Sequence, residues 1–283
     1  MMEYNQYNFE PLEPGKADML VALLHEAGFS GFEETDEGLQ AYIETGKIDA
    51  NLFEKIISII NVKYSISVIK EKNWNEQWES GFNPVTVNHP TFGQPFVHIR
   101  ADFHQRNEAV DFDIEITPKM SFGTGHHDTT YLMISQMGLL DLAGKKVIDF
   151  GTGTGVLAIL AEKMGAIEVL AIDNDDWSIN NAAENITKNN CSCIFLLKAE
   201  TLPAGDKAPV ILANINLNII ISSLVAIRNA CTQDADLLFS GILAQDEPVL
   251  KQALINHGFS NFNTVNRNGW LIIRAKIAAP HIN

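Results

Sequence analysis

The feature that most constrains the fold of this chain is the stretch VIDFGTGTGVLAI at residues 147–159. Its mainly apolar first residues predict a buried strand, and Gly151, Gly153 and Gly155 predict a tight turn whose backbone other groups can approach closely. The apolar residues that follow predict the start of a helix. A strand that enters a helix through such a turn is typical of a parallel sheet with helices on both faces.

The rest of the chain from about residue 95 supports this fold class. Apolar segments of strand length alternate with segments of helical periodicity, which predicts an α/β domain with a mostly parallel, seven-stranded, Rossmann-like sheet. The last two segments, NFNTVNRN and WLIIRAKI, would close one edge as an antiparallel pair. Two further strands are expected ahead of the sheet, at FVHIRADF and VDFDIEIT.

The first 72 residues follow a different pattern, β-α-β-β-α-β, which is typical of a ferredoxin-like α+β domain. Its first helix ends at Gly28, a hairpin turns around Asp36-Glu37-Gly38, and Asp49 is a candidate N-cap for the second helix. No cluster of catalytic residue types lies in this segment. We therefore expect it to contact a substrate rather than to carry the chemistry.

We predict three parts: a substrate-recognition domain at 1–72, a linker with a short helix at 73–94 and a catalytic domain at 95–283. The linker carries Trp74 and Trp78, four residues apart and so on one face of a helix. Packing between the two domains is the favoured interpretation of these tryptophans, with direct substrate contact as the alternative.

Charge and composition limit the partners and the location. The chain has 35 acidic and 20 basic residues and a net charge of −15, which disfavours direct binding to nucleic acid and fits either a basic protein partner or plain solubility. No apolar run is long enough to span a membrane, and no signal peptide is visible. The three cysteines fit neither a disulfide framework nor a zinc site. We expect a cytoplasmic monomer.

The glycine turn points to a nucleoside cofactor of a particular kind. It lacks the Gly-Lys-Ser/Thr of a phosphate-binding loop, and its third glycine comes one residue too early for a dinucleotide. Asp149 beside the turn would repel a pyrophosphate but attract the ammonium of a methionine moiety. Asp173, 22 residues after Gly151, ends a second strand and can accept both ribose hydroxyls. The combination predicts S-adenosylmethionine in a class I methyltransferase fold.

Two further residues are candidates because they follow later strands of the sheet. Glu200 comes after the third strand and either meets the adenine amino group or is a surface residue. Asn214 ends the fourth strand, in the segment LANINLN. Its side-chain oxygen can accept N–H bonds and place a nitrogen nucleophile, whereas the alternative is an asparagine that only turns the chain into a helix.

A second glycine loop, MSFGTGHHDTT at 120–130, repeats the letters Phe-Gly-Thr-Gly 28 residues before the first turn. Because it precedes the first strand of the sheet and leads into a helix, we expect a lid that is mobile without cofactor and ordered with it. Phe122 would cover the cofactor, and Thr130 would donate a hydrogen bond to the methionine carboxylate. The alternative is a rigid connecting turn. The adjacent His126, His127 and Asp128 point in different directions at a helix start, so no metal site is expected.

These motifs resemble those of the ribosomal protein L11 methyltransferase family (ribosomal protein methyltransferase A), which has Phe-Gly-Thr-Gly-Thr-His-Pro-Thr-Thr at the loop. The resemblance extends to VIDFGTGTG, to the tryptophan linker and to the small first domain, and so covers nearly the whole chain. It also includes ANI at Ala213–Ile215 and SGIL at Ser240–Leu243. The loop residues that match are Phe122, Gly123, Thr124, Gly125, His127, Thr129 and Thr130.

The resemblance implies methyl transfer from S-adenosylmethionine to amino groups of the basic large-subunit ribosomal protein L11, either lysine side chains or the N-terminal amine, with S-adenosylhomocysteine as product. It implies that the small domain grips this substrate. It also implies cofactor contacts at Thr130, Gly151, Asp173 and Asn214, and we expect Phe122 and Thr124 of the loop to approach the cofactor as well.

The sequence departs from the family pattern at three places around the loop. His126 replaces a threonine, Asp128 replaces a proline, and Lys119 stands where a glycine is common. We therefore expect the stiffness of the loop to differ.

A lysine amine is mostly protonated at neutral pH, so the site must lower its pKa and remove a proton. His127 is a candidate for that step, but fixing the loop is the favoured interpretation of this residue. The alternatives to the implied activity are methylation of another protein or small amine, and a cofactor-binding scaffold without catalysis. The intact residues Asp149, Asp173 and Asn214 disfavour the scaffold.

Overall fold

The computed structural model describes residues 3–10, 12, 16, 19–21, 23–24, 27–29, 31–35, 38–70, 82–119 and 122–278. The chain divides into two compact units, Met1–Trp74 and Asn75–Asn283. Each unit has its own cluster of buried apolar side chains. Most of the short helix expected in the linker, with Trp74 and Trp78, lies outside the described residues, as does the hairpin turn at Asp36-Glu37.

The first unit is a four-stranded antiparallel sheet in the order β2-β3-β1-β4. Residues 16, 19–21 and 23–24 are helical, so the predicted β-α-β-β-α-β pattern is present. This strand order is that of a ferredoxin-like sheet. The labelled elements are β1 Glu3–Phe9, β2 Gly31–Thr35, β3 Gly38–Glu44, α1 Ala50–Ile60 and β4 Tyr64–Lys70.

The helix α1 begins where the sequence predicts. Asp49 is its N-cap, and the Asp49 side chain accepts a hydrogen bond from the backbone N–H of Leu52 at 3.0 Å. Phe53, Ile56 and Ile60 recur at helical spacing and are buried. The apolar face of α1 therefore packs on the sheet, where the ring of Phe53 lies 5.0 Å from that of Tyr7.

The second unit contains a seven-stranded sheet in the order β10-β9-β8-β11-β12-β14-β13. The first five strands in this order pair in parallel, and β14 pairs antiparallel with β12 and with β13, as predicted for the closing pair. The strands are β8 Lys146–Phe150, β9 Glu168–Asp173, β10 Ile194–Lys198, β11 Ala208–Asn214, β12 Cys231–Leu243, β13 Phe259–Arg267 and β14 Trp270–Ile277.

Helices of the second unit cover this sheet. They are α2 Asp128–Met137, α3 Val156–Lys163, α4 Asp176–Lys188, α5 Leu217–Asn229 and α6 Glu247–Asn256, with a short 3-10 helix at Ala244–Asp246. Alternate side chains of β8 point to opposite faces, so Val147 joins one apolar cluster and Ile148 the other. The central strands are therefore buried on both faces, which explains their almost continuous apolar sequence.

A separate three-stranded sheet precedes the large one. It consists of β5 (Val85–Asn88), β6 (Pro95–Arg100) and β7 (Phe112–Glu115), with β5 antiparallel and β7 parallel to β6. β5 lies inside the range 73–94 expected as a linker, so regular structure of the second unit begins before residue 95. Within β5, Val87 is fully buried and the residues on either side of it are exposed.

Candidate active site

The glycine turn joins β8 to α3 at the carboxyl edge of the sheet. Gly151, Gly153 and Gly155 have φ angles of 83°, 55° and 80°, which favour glycine. A Cβ on Gly151 would lie 2.2 Å from Ile215 Cγ2, and a Cβ on Gly153 would lie 2.3 Å from the carbonyl oxygen of Phe122. The turn therefore has no room for side chains on its first two glycines.

Asp149 lies beneath the turn and is fully buried. Its Oδ2 accepts a hydrogen bond from the Thr152 hydroxyl at 2.7 Å, while its Oδ1 has no partner among the described residues. Burial raises the pKa of Asp149 to about 7, the negative charge of Asp173 adds to the rise, and the Thr152 hydroxyl opposes it. A buried carboxyl with a free acceptor atom suits a nearby cation.

Asp173 ends β9, the neighbour of β8, and its carboxylate reaches the glycine turn. Oδ2 accepts from the backbone N–H of Gly153 at 2.9 Å, and Oδ1 accepts from the backbone N–H of Asp175 at 3.1 Å. Because each carboxylate oxygen keeps a further lone pair, both can still accept from a ligand hydroxyl. The same side chain thus fixes the turn and offers acceptors beside it.

Asn214 ends β11, on the other side of β8, and is 7% exposed. Its Nδ2 donates to the hydroxyl of the fully buried Thr130 at 3.4 Å. The oxygen of the same amide, Oδ1, is buried and has no partner among the described residues. A buried acceptor without a partner is costly, and an incoming N–H donor would satisfy it.

The second glycine loop lies directly on the glycine turn. The backbone N–H of Thr154 donates to the carbonyl of Phe122 at 2.9 Å, and the Thr154 hydroxyl donates to the carbonyl of Gly123 at 2.8 Å. Phe122 itself is half exposed. The structure therefore brings the two Phe-Gly-Thr-Gly segments together, while Met120 and Ser121 lie outside the described residues.

His127 is the N-cap of α2. Its Nδ1 accepts from the backbone N–H of Thr129 at 3.3 Å and lies 2.8 Å from the Thr129 hydroxyl. In the neutral ring the proton is therefore on Nε2. The ring lies between those of Phe122 and Trp270, with centroids at 5.1 Å and 4.6 Å. These contacts favour a role in fixing the loop over the acceptance of a proton, because the lone pair of Nδ1 already accepts the Thr129 N–H.

These elements surround a cavity of about 420 Å³. Of the residues predicted from sequence, Phe122, His127, Gly151 and Gly153 line it from the loop and the turn, and Asp173, Glu200 and Asn214 line it from the strand ends. Thr130 contacts the lining residue Asn214, and Asp149 directly precedes the lining residue Phe150 in β8. Thr124 and Gly155 are not in the lining: Thr124 lies near His126, and Gly155 packs against Ala182.

Sequence reasoning did not single out the other residues of the cavity wall, and three of these are informative. Ile215 directly follows Asn214, Gly241 lies in β12, and Trp270 begins β14. Gly241 has a φ of 86°, and a Cβ there would lie 2.3 Å from the carbonyl oxygen of Ile215. The SGIL segment carried a signal, because a glycine within a strand marks a bulge or a close approach of backbone.

Two of the departures from the family pattern make defined contacts. Lys119 forms an ion pair with Glu184 of α4, and its Nζ lies 6.0 Å from the ring centroid of Trp177. His126 packs edge-on against Phe82 at 4.8 Å, and burial lowers its pKa. Within the described ranges, no group of three or more His, Cys, Asp or Glu could hold a metal ion. No helix of the described chain is long and apolar enough to cross a membrane.

The strand order, the glycine turn after β8 and the polar residues at the carboxyl ends of β9 and β11 define a class I S-adenosylmethionine-dependent methyltransferase fold. A family model described as "Ribosomal protein L11 methyltransferase (PrmA)" matches residues 22–278. The chain therefore belongs to the ribosomal protein L11 methyltransferase family, which confirms the resemblance seen in the sequence.

Individual relatives agree with this. A protein of Phocaeicola vulgatus named Ribosomal protein L11 methyltransferase is 34% identical over 283 residues, 96% of this chain and 99% of the relative. One of the same name from Porphyromonas gingivalis is 37% identical over 271 residues, 93% of this chain and 91% of the relative. The crystal structure of a ribosomal protein L11 methylase from Lactobacillus delbrueckii subsp. bulgaricus matches with a TM-score of 0.60 and 29% identity, over 65% of this chain and 95% of that one.

Proposed function

We propose that this protein transfers methyl groups from S-adenosylmethionine to amino groups of ribosomal protein L11. The observation that carries the proposal is the unpaired, buried Oδ1 of Asn214, which lies at the wall of the same cavity as the glycine turn and Asp173. An acceptor for N–H donors next to a nucleoside site is what an amine methyltransferase requires.

The residues of the cavity suit S-adenosylmethionine. Asp173 would accept the ribose hydroxyls, the buried carboxyl of Asp149 would balance the ammonium, and Thr130 would donate to the methionine carboxylate. Glu200 would meet the adenine amino group, and Phe122 would cover the cofactor. When bound, S-adenosylmethionine supplies a methyl group already activated on a sulfonium.

The chain's own task is to prepare the amine. A lysine side chain has a pKa near 10.4 and an N-terminal amine near 8, so the first requires a larger depression of its pKa before it can attack. Enclosure between Phe122, His127 and Trp270 would disfavour the charged form of either amine. Asn214 Oδ1 would then accept one N–H and orient the nitrogen lone pair, and the released proton would leave through water.

Mass spectrometry of L11 incubated with the enzyme and S-adenosylmethionine bearing a deuterated methyl group tests the proposal. We expect labelled methyl groups on lysine or N-terminal amines, and a loss of about a hundredfold in kcat for Asn214→Ala, because positioning dominates this reaction. Asn256→Ala, at an exposed asparagine of α6, is the matched control. Label that appears on other ribosomal proteins but not on L11 would contradict the assignment of the substrate.

We further propose that residues 1–72 recognise the substrate. This segment has 13 acidic and 6 basic residues, a difference of −7, which complements a basic protein. Removal of residues 1–72 should leave cofactor affinity unchanged and abolish methylation of folded L11. A truncated chain that modifies L11 at the full rate would show that the first unit does not recognise it.

We also propose a cytoplasmic location for this protein, which a ribosomal protein substrate supports. We propose that it acts as a monomer and binds no nucleic acid directly, since its net charge of −15 opposes binding to phosphate backbones. Light scattering and a binding titration with ribosomal RNA test these two statements. A stable dimer or binding in the micromolar range at physiological salt would contradict them.

A further inference from the structure

A cluster of polar side chains joins the first turn of α2 to the turn between β13 and β14. Asp128 Oδ1 accepts from Arg267 Nε at 2.6 Å. Asn268 Nδ2 donates to both oxygens of the same carboxylate, at 3.1 Å and 3.2 Å. The Arg267 guanidinium also lies 3.8 Å from the ring centroid of Tyr131, three residues after Asp128 on the same face of α2.

The β13–β14 turn has a defined shape. Arg267 pairs with Trp270 across a two-residue loop, Asn268-Gly269, whose φ angles of 49° and 82° are typical of a type I′ turn. The strand pairing between Trp270 and Leu243 of β12 supports the backbone after the turn. Contacts to Asp128 therefore fix the tilt of the turn, while the sheet holds the strands.

Two neighbouring residues at the start of α2, the N-cap His127 and Asp128, contact opposite sides of this turn. Asp128 binds Arg267 and Asn268 on one side, and the ring of His127 packs against Trp270 at 4.6 Å on the other. His127 and Trp270 both line the active-site cavity. A shift of the turn away from α2 would therefore open this wall of the cavity.

The order of the strands in the sheet indicates which ligand the wall formed by Trp270 and His127 faces. Three of the residues suited to the cofactor, Asp149, Asp173 and Glu200, lie at or just after the carboxyl ends of β8, β9 and β10. These strands form one half of the sheet, whereas β14 lies beyond β11 in the other half. Asn214 at the end of β11 stands between these halves. An amine that approaches Asn214 from the side opposite the cofactor therefore passes the wall formed by Trp270 and His127.

We propose that Asp128, Arg267 and Asn268 are positioning residues that hold the β13–β14 turn on α2 and thereby set the Trp270–His127 wall against which the amine-bearing substrate chain docks. This rests on the proposed function. Asp128 also has a lowered pKa, because its hydrogen bonds with Arg267 and Asn268 outweigh the opposing effect of burial.

Asp128→Asn, Arg267→Gln and the double variant test the proposal. We expect each single change to raise the KM for L11 about threefold to tenfold while kcat and the Kd of S-adenosylmethionine change by less than about twofold. The KM of the double variant should be no higher than that of the more impaired single variant, because the two residues act as a pair. Glu247→Gln, which breaks the ion pair with Lys251 on α6, is the matched control and should leave KM unchanged.

Hydrogen exchange gives a readout without substrate. The backbone N–H groups of residues 268–270 should exchange about tenfold faster in both single variants than in the unchanged protein. Unchanged exchange, additive effects in the double variant, or equal losses in KM, kcat and cofactor affinity would overturn the proposal. If the unchanged protein failed to methylate L11, the proposed function would fall, whereas faster exchange would still show that these residues hold the turn.

Discussion

The two Phe-Gly-Thr-Gly segments have the same letters and similar backbone demands, but different surroundings. Gly151 and Gly153 in the turn and Gly123 and Gly125 in the loop all have positive φ angles. Phe150 is 4% exposed and belongs to a central strand, whereas Phe122 is 50% exposed. The same motif therefore begins in the core where a central strand precedes it and at the surface where a loop precedes it.

The neighbours of the glycines differ in the same way. A Cβ on Gly153 would meet backbone, the carbonyl oxygen of Phe122, at 2.3 Å. Cβ atoms on Gly123 and Gly125 would meet ends of side chains, Thr154 Oγ1 at 2.7 Å and Ile99 Cδ1 at 2.6 Å. Gly151 resembles the loop glycines in this respect, since its Cβ would meet the Ile215 side chain at 2.2 Å. Side chains can rotate away and a hydrogen-bonded backbone cannot, so the turn is stiffer at Gly153 than the loop is at Gly123 and Gly125.

The largest expected effect follows from this difference in neighbours. Gly153→Ala should lower the free energy of unfolding by about 2–5 kcal/mol, the sum of a left-handed backbone and an overpacked contact, and should abolish cofactor binding. Gly123→Ala should cost less than half as much. Denaturant unfolding and calorimetry measure both quantities. Equal losses for the two variants would remove the proposed difference in stiffness.

The buried carboxyl under the turn makes stability depend on pH. Folded Asp149 keeps its proton up to about pH 7, whereas an unfolded aspartate releases it near pH 4. Its contribution to the free energy of unfolding is therefore complete below about pH 4 and is lost as the pH rises to about 7, by an amount on the order of 4 kcal/mol. Asp149→Asn should flatten this slope and be the more stable protein at pH 8. Unfolding curves with the same slope for both proteins would refute a raised pKa.

Loss of the Asp173 carboxylate should weaken cofactor binding more than it lowers the free energy of unfolding. Asp173→Ala removes charged acceptors worth about 1.5–3 kcal/mol each, so S-adenosylmethionine should bind at least about tenfold more weakly. Asp234→Ala, at an exposed aspartate of β12, is the control. An unchanged affinity in calorimetry would exclude Asp173 from the cofactor site.

The smallest effect is expected in the loop. Thr154→Val removes the hydroxyl that donates to Gly123 but keeps the shape of the buried side chain. It should therefore lower the free energy of unfolding by about 1 kcal/mol and speed hydrogen exchange at residues 122–126.

In the unchanged protein, S-adenosylmethionine should slow hydrogen exchange at residues 122–130 more than in the rest of α2. Equal exchange with and without saturating cofactor would mean that the loop is not a lid.

Much of the fold was predictable because its signals are local. The alternation of strands and helices predicted the sheet, the closing segments predicted the antiparallel β13–β14 pair, and Asp49 predicted the start of α1. β5 was missed because it has only four residues, Val85–Asn88, and its partner β6 starts seven residues later. Short strands of this kind are specified by their partner and by burial rather than by their own sequence.

The residues of the cavity likewise include some that local sequence signals predict and others that only the pairing of distant segments brings there. Asp173 and Asn214 were predictable because the carboxyl ends of neighbouring parallel strands meet at one edge of the sheet. Trp270 and Gly241 were not, because they reach the cavity only through the pairing of β12 with β14. Asp128 and Arg267 are 139 residues apart, and nothing in the sequence near either residue indicates the other.

The position of β8 in the sheet also has a consequence for folding. β8, β9 and β10 follow each other in the chain and can assemble through local α/β crossovers, whereas β11 has to return past them to pair with the free side of β8. The cavity straddles this seam, with Asp173 on one side and Asn214 on the other. A ligand that binds only when both halves are paired stabilises the paired sheet by mass action, so a higher cofactor concentration should favour the fully assembled sheet.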